Sequence, residues 1–128
     1  MNFKCVELRI TDNPNFGCTI RFSDTKDKEY DENQTIEEMM TSNDKYFLIQ
    51  RSYPEDLYEN DFYHIETSES DVELSYLDKI LIEFSEDNIE IQWSGDKVEI
   101  GLNVEENEIK LLRKILKKRF KERIILIE

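Results

Sequence analysis

Glycine is scarce in this chain: among its 128 residues only Gly17, Gly95 and Gly101 occur. Loops that cradle phosphate need glycine in clusters, because backbone amides must approach the ligand without side chains in the way. A Walker-type loop and a dinucleotide fingerprint are therefore excluded. The G-x-S-x-G turn that exposes a nucleophilic serine is also missing. Histidine occurs once, as His64. A zinc site would have to join it to carboxylates or to both cysteines, and no ligand-like spacing occurs. As a general base His64 would need an oriented partner, and a lone strand histidine is more often structural.

Cysteine occurs twice, Cys5 and Cys18, each in an apolar, alternating segment. Free buried thiols are the expectation. A disulfide is geometrically conceivable if their strands pair. Neither lies among basic residues or at a helix N-terminus that would lower its pKa, which disfavours a Cys–His nucleophilic pair. No apolar run approaches the roughly 18 residues of a membrane span. The opening MNFKCVELRI has no apolar signal-peptide core, so a cytoplasmic protein is expected.

Positive charge is in short supply: 17 basic residues face 30 acids, for a formal net charge of −13. Such a body repels phosphate backbones and anionic lipid, which argues against direct nucleic-acid or membrane binding. The imbalance is uneven. Residues 110–128 hold eight bases against Glu122 and Glu128, a balance of +6, while residues 1–109 hold 28 acids and nine bases, a balance of −19. Taken alone, Lys110, Arg113, Lys114, Lys117, Lys118 and Lys121 resemble a nucleic-acid patch. The surrounding acidity points to internal pairing or simple solvation instead. Acid pairs such as Asp24/Asp27 raise calcium, but Asp24-Thr25-Lys26-Asp27-Lys28-Glu29 lacks the glycine and the spacing of an EF-hand loop. No metal and no cofactor is expected.

What is present is alternation. Val6, Leu8 and Ile10 share one face of a strand, followed by turn chemistry at Asp12-Asn13-Pro14-Asn15. Cys18, Ile20 and Phe22 mark a second strand pairing with the first. Residues 23–44 are polar and acidic, with a capping-box pattern for a short helix over 35–40. Tyr46–Arg51 and Phe62–Thr67 form two further strands, separated by the acidic stretch YPEDLYEND. Ile80, Ile82 and Phe84, then Ile89, Ile91 and Trp93, then Val98, Ile100 and Leu102 describe an antiparallel meander with one wet face. Ser94-Gly95-Asp96 supplies a tight turn within it. A helix follows, with Asn103 as N-cap and Glu106 as its partner. Its stripe of Ile109, Leu112, Ile115, Leu116 and Phe120 should cover the meander. Ile124–Ile127 adds a last strand or packs under the sheet. The expected fold is α+β, a single domain over 1–128: a mostly antiparallel meander sheet with one long C-terminal helix packed on one face.

The strand Tyr46-Phe47-Leu48-Ile49-Gln50-Arg51, the acidic stretch after it, and Phe62-Tyr63-His64-Ile65-Glu66 resemble the middle of an immunity-protein family of bacterial polymorphic toxin systems, immunity family ten. Members carry a strand ending in Gln-Arg, an acidic stretch, a tyrosine-bearing strand ending in Glu, further alternating strands and a C-terminal helix like Glu105–Phe120 here. The resemblance spans about residues 3–120. The family often has a glycine before the tyrosine strand, where this chain has Tyr58-Glu59-Asn60-Asp61, and the tail Ile124–Ile127 is extra.

The resemblance implies a small cytoplasmic protein without an active site. It would protect a cell by covering a cognate toxin domain, basic in character, with nucleases as the leading case. The composition agrees, since an acidic surface meets a basic partner quickly. Tyr53, Glu55, Asp56, Tyr58, Glu59 and Asp61 are the first candidates for contact, tyrosine being enriched at binding hot spots. Asp24, Asp27, Glu29 and Asp31 come second. Gln50 and Arg51 are expected to be structural, Arg51 pairing with Glu66. The competing readings are an acidic mimic of nucleic acid that inhibits a nuclease, a non-catalytic adaptor, and a small hydrolase built on His64.

Overall fold

The computed structural model describes residues 1–25, 45–53, 62–69, 71–74, 79–93, 95–120 and 124–127. Among these the order is β1 (Asn2–Cys5), β2 (Glu7–Asn13), β3 (Gly17–Ser23), β4 (Tyr46–Ser52), β5 (Phe62–Thr67), β6 (Asp71–Leu74), β7 (Ile80–Phe84), β8 (Asn88–Trp93), β9 (Asp96–Leu102), α1 (Glu106–Arg119) and β10 (Ile124–Ile127). The class is α+β, but the single sheet expected from the alternation is two sheets of five strands. One runs β1-β9-β8-β7-β10 and the other β2-β3-β4-β5-β6. The second is an antiparallel meander throughout. The first has the expected β7-β8-β9 meander at its centre, with a parallel strand added at each edge, β1 on β9 and β10 on β7.

The sheets divide at a single peptide. Cys5 pairs with Leu102 in the first sheet, and its carbonyl accepts a hydrogen bond from Asn103 N at 2.9 Å. Val6 N, the next donor, bonds Ser23 O of the second sheet at 2.9 Å. The strand expected over 6–10 is β2, and a separate strand not expected from the alternation, β1, precedes it in the other sheet, the two joined at a bend, the usual way a chain turns the corner between packed sheets.

Alternation then sets which side chains meet. Phe3 and Cys5, Ile80, Ile82 and Phe84, Ile89, Ile91 and Trp93, and Val98, Ile100 and Leu102 are buried on the first sheet. Cys18, Ile20, Phe22, Phe47, Ile49, Tyr63 and Ile65 are buried on the second. All belong to one hydrophobic cluster, with Leu112, Ile115, Leu116 and Phe120 of the helix. Phe47 joins the sheets directly: its ring lies 5.3 Å from Trp93 and 6.0 Å from Phe22, tilted in both cases, the arrangement that aromatic quadrupoles favour.

The helix touches both sheets. Arg113 lies over the Phe84 ring at 4.9 Å, and Phe120 packs on Tyr63 at 6.3 Å. Its start is two residues later than expected. Asn103 is still occupied as a strand donor to Cys5, so Glu105 takes the N-cap position and its N–H is bonded by Glu108 Oε2 at 3.0 Å. Acids in the first turn (Glu106, Glu108) and bases in the last (Lys117, Lys118, Arg119) complement the helix dipole. Among the described residues no helix is long and apolar enough to cross a membrane.

Because Phe47 bridges the sheets and is fully buried, Phe47→Ala should cost about 3–5 kcal/mol of folding stability. Leu111→Ala, at a helix position 47% exposed, should stay within about 0.5 kcal/mol. Denaturant unfolding of both variants distinguishes them, and equal losses would contradict this assignment of the core.

Candidate partner-binding edge

The acidic stretch favoured for contact begins at Tyr53, so the structure around Tyr53 decides what that end of the molecule can do. Tyr53 follows β4, and its N–H bonds Phe16 O at 3.0 Å. Phe16 sits in the turn between β2 and β3, which the pairing Asn13↔Gly17 leaves three residues long. Asn13 builds this turn. Its Oδ1 accepts from Asn15 N at 2.9 Å and its carbonyl from Phe16 N at 3.2 Å, the local bonding that makes asparagine a turn former. Gly17 completes it with φ +149°, and a Cβ there would stand 2.2 Å from Arg51 O. Only glycine lets β3 and β4 come so close. The backbone of Phe16 is therefore held on both sides while its ring is 75% exposed.

Behind this turn the second sheet presents a row across its inner face: Asp12, Cys18, Arg51 and Tyr63, each paired with the next. Two members of the row are charged, and both are answered by the end of α1. Arg51 Nη1 donates to the carbonyl of Arg119, one of the helix-end acceptors left open by the geometry of a helix. Arg119 in turn bonds Asp12 Oδ2 through Nε at 3.1 Å and Nη2 at 3.0 Å. The hydrogen bond to Asp12 raises the pKa of Arg119 further, against the opposing effect of burial. Arg51 also lies 5.1 Å from the Tyr53 ring and 6.0 Å from the Tyr63 ring, so one guanidinium holds helix, strand and acidic stretch together. The expected pairing of Arg51 with Glu66 is precluded by the alternation. Arg51 faces inward and Glu66 outward, where Glu66 accepts from Tyr46 OH at 3.1 Å.

Of the ten contact candidates, two fall on described residues. Tyr53 is half-buried beside Phe16, with its hydroxyl buried among protein atoms and unbonded. Asp24 is at the other end of the second sheet, where it exchanges hydrogen bonds with Lys45: Asp24 N to Lys45 O and Lys45 N to Asp24 Oδ1, both 3.0 Å. The seven residues of β4 separate the two ends by about 20 Å. The structure thus joins Tyr53 to Phe16 and leaves Asp24 at the opposite end, closing the base of the neighbouring segment. Glu55, Asp56, Tyr58, Glu59, Asp61, Asp27, Glu29 and Asp31 lie outside the described residues, as does the short helix expected over 35–40. Phe16 was missed by sequence reasoning. The available signal was a large aromatic in a turn that is otherwise polar, where nothing in the alternation calls for one.

The groups with catalytic potential are kept apart. His64 pairs with Gln50 and Glu73 on the outer face of the second sheet, while Cys18 is on the inner face and Cys5 belongs to the other sheet. Both thiols are free. Burial pushes each from 9.0 up to about 11, so neither is a ready nucleophile near neutrality. Cys5 Sγ donates to Glu7 O at 3.2 Å. Among the described residues no three of His, Cys, Asp and Glu gather as a metal site would require. Two shallow recesses of about 490 and 410 Å³ line the first sheet, one by Lys4, Asp87 and Asn103, the other by Lys79, Trp93 and Lys97. Neither contains His64 or a cysteine. On the helix, Lys110, Leu111, Lys114, Lys117 and Lys118 are all exposed. No family model, curated protein or solved structure matches this chain.

The thiols supply a pH test. A group whose pKa is higher in the folded chain keeps its proton there after the unfolded chain has lost it. The stability it favours is complete below about pH 9 and is lost as pH climbs through 11. The melting temperature should therefore fall between pH 9 and 11, with both thiols slow toward a thiol reagent at pH 7.5 and fast after denaturation. Rapid native labelling would contradict the burial of Cys5 and Cys18.

Proposed function

We propose that this chain is an immunity protein that binds a cognate toxin domain of a bacterial polymorphic toxin system and neutralises it by covering its active or binding surface. The observation that carries the reading is the bond from Tyr53, where the acid-rich sequence 53–61 begins, to the turn that exposes Phe16, in a body whose first 109 residues carry a balance of −19. Rigid aromatic groups beside carboxylates suit recognition of a basic surface: the charges speed encounter and the ring supplies area without an ordering cost. The resemblance of Tyr46–Arg51 and Phe62–Glu66 to immunity family ten points the same way.

The toxin in this reading is basic, as nucleases are, because enzymes that bind phosphate need positive charge. The immunity protein works in the cytoplasm by occlusion, with no reaction, metal or cofactor of its own. It discriminates among toxins by rejecting wrong partners through like charge as much as by attracting the right one.

The experiment is co-expression of this chain with the toxin domain encoded beside it. Cells carrying both survive, cells carrying the toxin alone die, and affinity for the purified toxin weakens roughly tenfold between about 50 and about 300 mM salt. Death in both cultures sinks the immunity reading. Survival with salt-independent binding sinks the electrostatic part of it.

A further inference from the structure

Among the described residues four large apolar side chains are exposed: Phe16, Leu111, Ile125 and Ile127. Leu111 lies among the lysines of α1, and the two isoleucines lie on the outer face of β10, beside Leu81. Phe16 is the single aromatic of the four, the most exposed, and the one bonded to the root of the acid-rich stretch. The turn itself is built by the bonds of Asn13 and by Gly17, none of which involves the Phe16 ring.

We infer that Phe16 is the anchor of the interface, inserting into an apolar recess of the partner whose rim is basic; this rests on the immunity reading above. Three observations support it. The backbone on either side of the ring is fixed by the Asn13 bonds, by Tyr53 N and by the close approach of Gly17 to Arg51, so the ring enters a recess with little ordering cost. Beneath it the Asp12–Arg119 pair and the Arg51 bond tie the turn to the helix, so the ring's position is set by the core. In sequence, the stretch from Tyr53, whose N–H is bonded to Phe16 O, to Asp61 carries Glu55, Asp56, Glu59 and Asp61 and no base. That charge fits lysine or arginine at the rim of the recess, and an arginine there gains the face of the ring as well. Exposed aromatics held on a fixed backbone are the side chains that most often carry binding energy.

The test is titration of the wild-type chain, Phe16→Ala and Phe16→Leu against a catalytically inactivated form of the toxin domain encoded beside this chain, at two salt concentrations. Phe16→Ala should weaken binding by about 30-fold or more, with Phe16→Leu in between. The melting temperature should change little, because Phe16 is largely exposed. The salt dependence should also persist, because no charge is removed. If the wild-type chain binds and Phe16→Ala binds within about threefold of it, the anchor is refuted and the immunity reading stands. If the wild-type chain does not bind this toxin domain, the immunity reading fails and the anchor with it.

Discussion

The fastening of the helix end to the second sheet is the interaction on which the rest depends. Asp12 and Arg51 are charged groups on a sheet face otherwise committed to the core, and they are tolerable there because Arg119, at the helix end, answers both, Asp12 with its guanidinium and Arg51 with its carbonyl. Arg51 satisfies a part-buried helix-end carbonyl, and Arg119 reaches across to a carboxylate 107 residues earlier in the chain. Asp12 and Arg119 are each about a quarter exposed, so solvent weakens their attraction, and the hydrogen-bond geometry matters more than the bare charge. The result is a helix that closes the open end of a two-sheet core, with Tyr63 and Phe120 sealed beneath it.

In the immunity reading we propose, this fastening would suit one end of the molecule to binding. The hairpin turn, the start of the acidic stretch and the helix end are consecutive parts of a single bonded assembly. A partner that meets Phe16 therefore meets a surface whose shape is set before contact. The charge is arranged in keeping with this: the bases concentrate on α1 and in the tail, and the acids elsewhere. On the wet face of the first sheet, by contrast, the charges are already paired with each other, Lys97 with Glu90 at 3.3 Å and with Glu99 at 3.1 Å. Charges so engaged have less to offer an external partner.

Much of the fold could be read from alternation, because a period of two places the same residues inward whichever strands turn out to be neighbours. The inward sets of β3, β7, β8 and β9 and the stripe of α1 all followed from it. Partnering did not. Two sheets and one sheet produce the same local pattern, and the parallel edges β1 and β10 arise from contacts about a hundred and about forty residues apart in sequence. One clue to the division was present: Phe3 and Cys5 alternate in one phase, Val6, Leu8 and Ile10 in the other, so two neighbours point inward where the strand changes sheets. β6 escaped notice because it is short and lies in a polar, acidic stretch. At the candidate edge Tyr53 was singled out as a contact residue from composition alone, whereas the bond that joins it to Phe16, and the place of Arg119, depend on which distant segments the fold brings together.

The fastening can be measured by a double-mutant cycle on stability with Asp12→Ala, Arg119→Ala and the two combined. A structural bond of this geometry should give a coupling of about 1 kcal/mol or more, the double variant being less destabilised than the sum of the single ones. A coupling within about 0.3 kcal/mol of zero would show that the two groups do not act together, and would contradict the account of how the helix end sets the binding edge.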